Sequence, residues 1–178
     1  DLKNQAPYRE LFTAPQARVL FVDDNVMNLS VAKGLLKKTK IQVDTADSGV
    51  TCLELTRENK YDLIFMDHLM PEMDGVETLR RLRRETGNPN QFTVVIALTA
   101  NAIKGSRDFY IETGFHEYLT KPIEGEKMEE VLLQLLPNEY IIPAEEEQER
   151  LENQQESATV MGGMSTTETS VSTEDCMQ

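Results

Sequence analysis

Between about residues 18 and 136, short apolar runs alternate with longer segments in which apolar residues recur every three or four positions. Three runs are apolar throughout, as is typical of strands covered on both faces of a sheet: 19–22, 63–66 and 94–98. Two weaker candidates are 42–46 and 117–119. The pattern predicts five strands.

The segments between these runs carry the periodicity of amphipathic helices. Apolar residues fall on one helix face in four of them: Leu29, Ala32 and Leu36; Val50 and Leu53; Val76, Leu79 and Leu82; and Met128, Val131, Leu132 and Leu135. A further helix is expected within 102–113, ending before Gly114. Because parallel strands need helix-length crossovers, five strands alternating with five helices predict an α/β fold with helices on both faces of a parallel sheet.

The two ends of the chain lack this periodicity. Residues 1–17 are mostly polar with prolines at Pro7 and Pro15, and they are predicted to be an N-terminal linker. Residues 18–137 form the predicted domain, and 138–178 a tail. From Ala144 onward the tail has nine acidic residues and one basic residue, Arg150, so we expect disorder with a short polar helix near 145–155.

Composition narrows the classes of function. A net charge of −13 argues against a nucleic-acid surface, which requires clustered lysine and arginine. The chain has no run of about 20 apolar residues and a polar N-terminus, so neither membrane contact nor a secretory signal is expected. Cys52 and Cys176 are far apart and form no disulfide or zinc pattern. We expect a cytoplasmic location.

Polar residues with catalytic potential follow the predicted strands at one edge of the sheet. Asp23 and Asp24 follow the first run, Asp67 the third, Thr99 the fourth and Lys121 the fifth. Ligands of open parallel sheets bind at this edge. Three carboxylates there would repel one another unless a hard cation such as Mg²⁺ lay between them, and Mg²⁺ also binds phosphate oxygens. Lysine and threonine could then stabilise a phosphoryl group.

Four segments resemble the signature segments of response-regulator receiver domains of two-component systems. They are 22–25 (VDDN), 66–75 (MDHLMPEMDG), 97–100 (ALTA) and 118–122 (YLTKP). Asn25, Asn28 and Val31 in the first helix more specifically resemble receivers of hybrid sensor histidine kinases. The resemblance implies a doubly wound, flavodoxin-like sheet with the five predicted strands in the order 2-1-3-4-5.

The resemblance also implies a phosphoryl-accepting site. Asp67 matches the phosphoacceptor, a carboxylate nucleophile that attacks a phosphohistidine. Asp24 matches the direct Mg²⁺ ligand, Asp23 its partner acting through water, and Leu69 the residue whose backbone carbonyl completes the metal shell. Mn²⁺ is expected to substitute for Mg²⁺.

Further residues match the switch of the family. Thr99 and Lys121 match the pair that contacts the phosphoryl group, and Tyr118 the aromatic residue whose rotamer reports the state. Pro122 is expected to follow a cis peptide bond. Phosphorylation is expected to shift a two-state equilibrium on the surface of the fourth helix, fifth strand and fifth helix.

Two variable positions of the family are occupied here by Leu69 and Asn101. Both are expected to flank the path of water to the acyl phosphate and so to tune the lifetime of the signal. His68 adjoins Asp67, but successive side chains of an extended strand point in opposite directions, so we expect no direct role for it. Cys52 is expected to pack along the second helix.

The predicted function is a phosphorelay receiver whose partners are a histidine kinase or a histidine phosphotransfer domain. Its chemistry would be limited to its own phosphorylation and slow autodephosphorylation. Since the chain begins with Asp1 rather than Met, we expect the C-terminal receiver of a hybrid kinase, with a single-domain regulator as the alternative.

Two other functions fit these residues less well. A haloacid-dehalogenase-type phosphohydrolase needs a second acid two residues after the nucleophile, where this chain has Leu69. A receiver-like docking module that has lost phosphorylation would not be expected to keep Asp23, Asp24, Asp67, Thr99 and Lys121 together.

Overall fold

The computed structural model describes residues 12–162. The strands are β1 (Phe12–Thr13), β2 (Arg18–Val22), β3 (Gln42–Ala46), β4 (Leu63–Asp67), β5 (Val95–Thr99), β6 (Glu117–Thr120) and β7 (Ile142–Pro143). The helices are α1 (Val26–Leu36), α2 (Gly49–Glu58), α3 (Gly75–Arg84), α4 (Ser106–Thr113), α5 (Gly125–Leu135) and α6 (Ala144–Gly162). Short 3-10 turns cover Lys37–Thr39 and Asn138–Tyr140.

Five parallel strands form the central sheet, in the order β3-β2-β4-β5-β6. Counted as the five predicted strands, this order is 2-1-3-4-5, so the predicted doubly wound α/β fold is confirmed. The chain runs outward from β2 to β3 and then returns past β2 to β4. Ligand sites of such sheets lie at this reversal, beyond the carboxyl ends of the two strands.

Alternation along each strand divides the core between the two faces of the sheet. Phe21 of β2 and Phe65 of β4 lie on one face, where their rings stack with centroids 4.4 Å apart among residues of α1 and α5. Their neighbours Leu20 and Ile64 lie on the other face with residues of α2, α3 and α4. Cys52 packs in this second cluster, as predicted, and burial raises the pKa of its thiol to about 12.

Side-chain caps fix where the helices that follow β2, β3 and β4 begin. Asn25 Oδ1 accepts a hydrogen bond from the Met27 amide, and Asp74 Oδ1 accepts one from the Glu77 amide. The Ser48 hydroxyl caps α2 in the same way. The start of α3 lies so close to β4 that a Cβ at Gly75 would collide with the carbonyl oxygen of Asp67. The caps therefore set α1 and α3 at the edge where β2 and β4 end.

Some elements differ from the sequence-based expectation. Phe12 and Thr13 pair antiparallel with β7, and Phe12 is buried in the first core cluster, although residues 1–17 were predicted to be a linker. Phe12 is one of several apolar residues in this mostly polar segment, and its side chain reaches the core. Helix α4, in contrast, lies within the predicted range 102–113 and ends before Gly114, as expected. It begins at Ser106, because Gly105 takes a positive φ of 89° immediately before it.

Helix α6 extends well beyond the short helix predicted near 145–155 and belongs to a separate compact unit from the preceding chain. Three glutamates in its first turn, Glu145, Glu146 and Glu147, interact favourably with the helix dipole. The disorder predicted for the rest of the tail falls on residues 163–178, which lie outside the described residues, as do 1–11. The predicted domain boundaries therefore stay a prediction. Within residues 12–162, no helix is both long and apolar enough to cross a membrane.

Candidate functional site

Three carboxylates meet at the carboxyl edge of the sheet. Asp23 and Asp24 directly follow β2, and Asp67 is the last residue of β4. Each of the three places one carboxylate oxygen within 4.8 Å of the others. Asp23 and Asp67 are buried, with 2% and 4% of their surfaces exposed, whereas Asp24 is exposed. We refer to these three residues as the acidic cluster.

Lys121 bridges the two buried carboxylates. Its Nζ lies 3.1 Å from Asp23 Oδ2 and 2.9 Å from Asp67 Oδ1. The lysine follows β6, and its peptide bond with Pro122 is cis, the isomer that the resemblance implies. Burial acts to lower the pKa of Lys121, but hydrogen bonds to Asp67 and Asp23 outweigh it and raise the pKa. The side chain is therefore an ammonium group at neutral pH.

Helix α1 fixes the orientation of Asp23. The Asn25 amide donates to Asp23 Oδ1 at 2.9 Å, and Asn28 Nδ2 donates to Asp23 Oδ2 at 3.1 Å. With Lys121, three donors hold this carboxylate in place. Asn28 was singled out in the sequence only by the family resemblance. In the structure it has a specific contact, the hydrogen bond to Asp23.

Asp67 has an unfavourable electrostatic environment. Burial raises the pKa of its carboxyl group to about 6, and the neighbouring Asp23 and Asp24 add to the effect, although Lys121 opposes it. When ionised, the cluster holds three negative charges against one ammonium. Oxygen donors with excess negative charge suit a hard divalent cation, so the residues present fit Mg²⁺.

The cluster lines a cavity of about 250 Å³. Six of the predicted site residues line it: Asp23, Asp24, Asp67, Leu69, Thr99 and Lys121. A second cavity, of about 360 Å³, adjoins it and shares His68, Leu69, Thr99 and Ala100 with it. Asn101, the other residue predicted to tune the signal, lines this second cavity together with Leu69, whose side chain is largely exposed.

Thr99 is the last residue of β5, and its side chain is engaged by the segment that follows. Its hydroxyl donates to the Asn101 carbonyl at 3.2 Å and accepts from the Asn101 amide at 3.3 Å. Thr99 is buried with 7% of its surface exposed, and it borders both cavities. The hydroxyl would have to leave Asn101 in order to donate to a group attached to Asp67.

Tyr118 lies on β6, beside α4. It is half-buried against the second core cluster, and its ring centroid is 5.6 Å from that of Tyr110. Both rings therefore belong to the contact between β6 and α4.

His68 makes a contact that the sequence did not predict. Its Nδ1 lies 2.8 Å from the Tyr110 hydroxyl of α4, and the residue lines both cavities. The alternation of side chains along a strand predicts that His68 faces away from the side chain of Asp67. It does not predict which helix residue His68 meets there, since that depends on how α4 packs.

Comparison with known proteins identifies similar chains. The family model described as the response regulator receiver domain matches residues 19–133. The signal transduction histidine-protein kinase BarA of Escherichia coli K12 is 37% identical over 123 residues, which cover 69% of this chain and 13% of that protein. The chain thus spans a small part of this curated relative.

Solved structures show the same fold. The receiver domain of the sensor histidine kinase PA1611 from Pseudomonas aeruginosa, described with magnesium in its active-site cleft, is 28% identical with a TM-score of 0.59. The match covers 67% of this chain and 96% of that one. The receiver domain of Ssk1 from Saccharomyces cerevisiae, solved with the histidine phosphotransfer protein Ypd1, is 26% identical with a TM-score of 0.60. That match covers 71% and 96%, respectively.

Proposed function

The chain belongs to the response regulator receiver domain family, and from that membership we propose that Asp67 accepts a phosphoryl group from a phosphohistidine. The observation that carries the proposal is the position of Asp67, which is buried at the end of β4 within the acidic cluster and 2.9 Å from Lys121. The adjoining cavity of about 250 Å³ gives a donor access to it.

The proposed transfer is a nucleophilic substitution at phosphorus. A carboxylate oxygen of Asp67 forms a bond to phosphorus while the phosphorus–nitrogen bond of the donor breaks. The electron pair of that bond stays on the imidazole. Because the other ring nitrogen of the phosphohistidine already carries a proton, the imidazole leaves as a neutral ring. Asp67 must be ionised to attack, which a pKa of about 6 allows at neutral pH.

Mg²⁺ would be held by the carboxylates of Asp23, Asp24 and Asp67, with the backbone carbonyl of Leu69 completing the protein ligands. The bound ion supplies positive charge that offsets the repulsion between these carboxylates and an incoming phosphoryl group. Asp23 contributes a fixed oxygen position because Asn25 and Asn28 hold it.

Lys121 and Thr99 are proposed to stabilise the transferred group. The Lys121 ammonium already contacts Asp67 and can donate to a phosphoryl oxygen beside it. The Thr99 hydroxyl can donate to another oxygen once it leaves Asn101. The resulting movement between β5 and α4, read out at Tyr118, would alter the surface formed by α4, β6 and α5. Leu69 and Asn101 would tune how quickly water reaches the acyl phosphate.

The proposed partners are proteins that carry the phosphohistidine. They are a histidine kinase, as suggested by the similarity to BarA, or a histidine phosphotransfer domain, as suggested by the similarity to the receiver solved with Ypd1. The same similarity to kinase receivers supports the proposal that the chain functions as part of a hybrid kinase.

Incubation with Mg²⁺ and acetyl phosphate, a small-molecule phosphoryl donor, tests the proposal. Intact-mass measurement is expected to show one added phosphoryl group that hydroxylamine removes, as it does from acyl phosphates. The group should be absent from Asp67→Asn and retained by Asp47→Asn, which changes an exposed aspartate outside the cluster. Equal labelling of the wild type and Asp67→Asn would refute the assignment.

A further inference from the structure

One hydrogen bond ties the residue after the phosphoacceptor to α4. His68 is the first residue beyond β4, and its Nδ1 lies 2.8 Å from the hydroxyl of Tyr110, which belongs to α4. The imidazole is half-buried and Tyr110 is buried, with 4% of its surface exposed. A bond in this position is shielded from competition by bulk water.

The same two residues begin a chain of aromatic contacts that leads to Tyr118. The His68 ring is 5.4 Å from the Tyr110 ring in an edge-on arrangement, and the Tyr110 ring is 5.6 Å from that of Tyr118. Phe109 and Phe115 flank Tyr110, with ring centroids 5.2 Å and 5.6 Å away. Side chains in contact therefore connect the neighbour of Asp67 to the proposed switch tyrosine.

The segment between β5 and α4 is fastened at both ends in this arrangement. At its start the Thr99 hydroxyl bonds with the Asn101 backbone, and at its end the Ser106 hydroxyl accepts a hydrogen bond from the Ile103 amide. The cavity of about 360 Å³ lies between this segment, α4 and His68. The cavity of about 250 Å³, which Asp67, Thr99 and Ala100 line, leaves room for the start of the segment to move towards Asp67. The bond of Ser106 to Ile103 couples such a movement to the start of α4.

From these contacts we infer that His68 and Tyr110 are a positioning pair that stabilises the arrangement with Thr99 bonded to Asn101, against the arrangement with Thr99 turned towards Asp67. The inference rests on the proposed function. Turning Thr99 draws the segment and α4 along, which stretches the bond between His68 and Tyr110. The pair acts by holding α4 and the segment in place, and in this way it sets how readily the domain accepts a phosphoryl group.

Binding of beryllofluoride, a phosphoryl analogue, to the full 178-residue chain with Mg²⁺ tests the inference. Because the bond opposes the analogue-bound arrangement, Tyr110→Phe is expected to lower the Kd for beryllofluoride about fivefold, the factor for one neutral hydrogen bond. His68→Phe keeps an aromatic ring without the ring nitrogen and is expected to have the same effect. The double variant should bind no more tightly than either single variant, since both remove one interaction.

Two matched controls carry the same substitutions elsewhere. Tyr140→Phe removes a phenol hydroxyl beside the first core cluster, and His116→Phe changes an exposed histidine. Both should bind the analogue as the wild type does. Unfolding by urea, measured on each variant without the analogue, separates a change in stability from a change in affinity.

Three results would count against the inference. An unchanged Kd with a lower free energy of unfolding would mean that the bond persists in both arrangements and is only structural. A higher Kd would mean that the pair supports the analogue-bound arrangement. If the wild type itself fails to bind beryllofluoride with Mg²⁺, the proposed function fails, and the inference falls with it.

Discussion

Buried polar groups at the two ends of the central sheet differ in how completely they are paired within the protein. At the amino ends of β4 and β5, Asn90 is fully buried and uses both ends of its amide. Its Nδ2 donates to the carbonyls of Thr56 and Asn59, and its Oδ1 accepts from the Tyr61 amide and the Thr93 hydroxyl. Each polar atom of this amide has a partner, so the network around Asn90 is satisfied within the protein.

At the carboxyl ends of β2 and β4, the acidic cluster shares one ammonium group, that of Lys121. Burial raises the pKa of Asp67, and the neighbouring carboxylates add to the effect while Lys121 opposes it. The two ends therefore differ in what they contribute: the network around Asn90 to stability, and the acidic cluster to function. A network that is complete within the protein stabilises the fold, whereas a cluster with excess charge is suited to a cation and a reacting group from outside.

Disrupting the hydrogen-bond network around Asn90 should have the largest effect on stability. Asn90→Ala is expected to lower the free energy of unfolding by about 3 kcal/mol, because it leaves a buried amide and two carbonyls without a partner. Urea unfolding measures the change, and Asn153→Ala on the exposed face of α6 is the control. The folded variant should still be phosphorylated by acetyl phosphate. A loss below about 1 kcal/mol would contradict this view of the network.

Removing a charge from the acidic cluster should instead increase the free energy of unfolding. Without divalent cations at pH 7.5, Asp67→Asn is expected to raise the free energy of unfolding by about 2 kcal/mol. A rise of the carboxyl pKa from 3.8 to about 6, which already includes the opposing effect of Lys121, corresponds to at most about 3 kcal/mol.

The pH dependence of the free energy of unfolding provides a second test of the expected stabilisation. Since the pKa of Asp67 is higher in the folded chain, the folded protein holds a proton between about pH 4 and pH 6 that the unfolded chain releases. The contribution of the Asp67 carboxyl group to the free energy of unfolding is most favourable below about pH 4, and it is lost as the pH rises through about 6. The difference between Asp67→Asn and the wild type should therefore vanish at the acidic end of this window. A constant difference across the window would disprove the assigned pKa.

Binding of Mg²⁺ should offset the excess negative charge of the acidic cluster, which Asp67→Asn reduces. At a Mg²⁺ concentration ten times its dissociation constant, the wild type should gain about 1.4 kcal/mol of stability, by mass action. Asp24→Asn removes a ligand oxygen at the exposed side of the cluster and should gain much less. Thermal unfolding with and without Mg²⁺ measures both. An equal gain in the two proteins would place the ion elsewhere.

The smallest effect is expected where a carboxylate already has its own partners. Asp44 accepts from Arg18 and from the Tyr61 hydroxyl, both at 2.7 Å, near the amino end of the sheet. The ion pair is about one-third exposed, so Asp44→Asn should cost no more than about 1 kcal/mol, and added salt should shrink the difference. A loss as large as that of Asn90→Ala would show that this pair is part of the buried network.

The sequence predicted the sheet and its site for a physical reason. Continuous apolar runs mark strands buried on both faces, and in a parallel sheet the residues that follow them share one edge. Asp23, Asp24, Asp67, Thr99 and Lys121 could therefore be placed near one another before any coordinates. The strand order and the cis bond before Pro122 came from the family resemblance.

The sequence did not predict contacts that depend on how loops and helices pack. Asn90 lies in a polar loop whose sequence is typical of an ordinary turn. It is buried because the loop packs against the carboxyl end of α2, where Asn90 bonds to the carbonyls of Thr56 and Asn59. The partner of His68 depends on α4, whose start at Ser106 is set by the conformation of Gly105. Phe12 gives no periodic signal because its strand has two residues.

Chemical mapping of the phosphorylated residue tests the central claim most directly. Borohydride reduces an acyl phosphate to an alcohol and so converts a phosphorylated aspartate to homoserine. After treatment with Mg²⁺, acetyl phosphate and borohydride, peptide sequencing by mass spectrometry should find homoserine at position 67 and aspartate at positions 23 and 24. Homoserine at either of those positions, or at none of the three, would contradict the account.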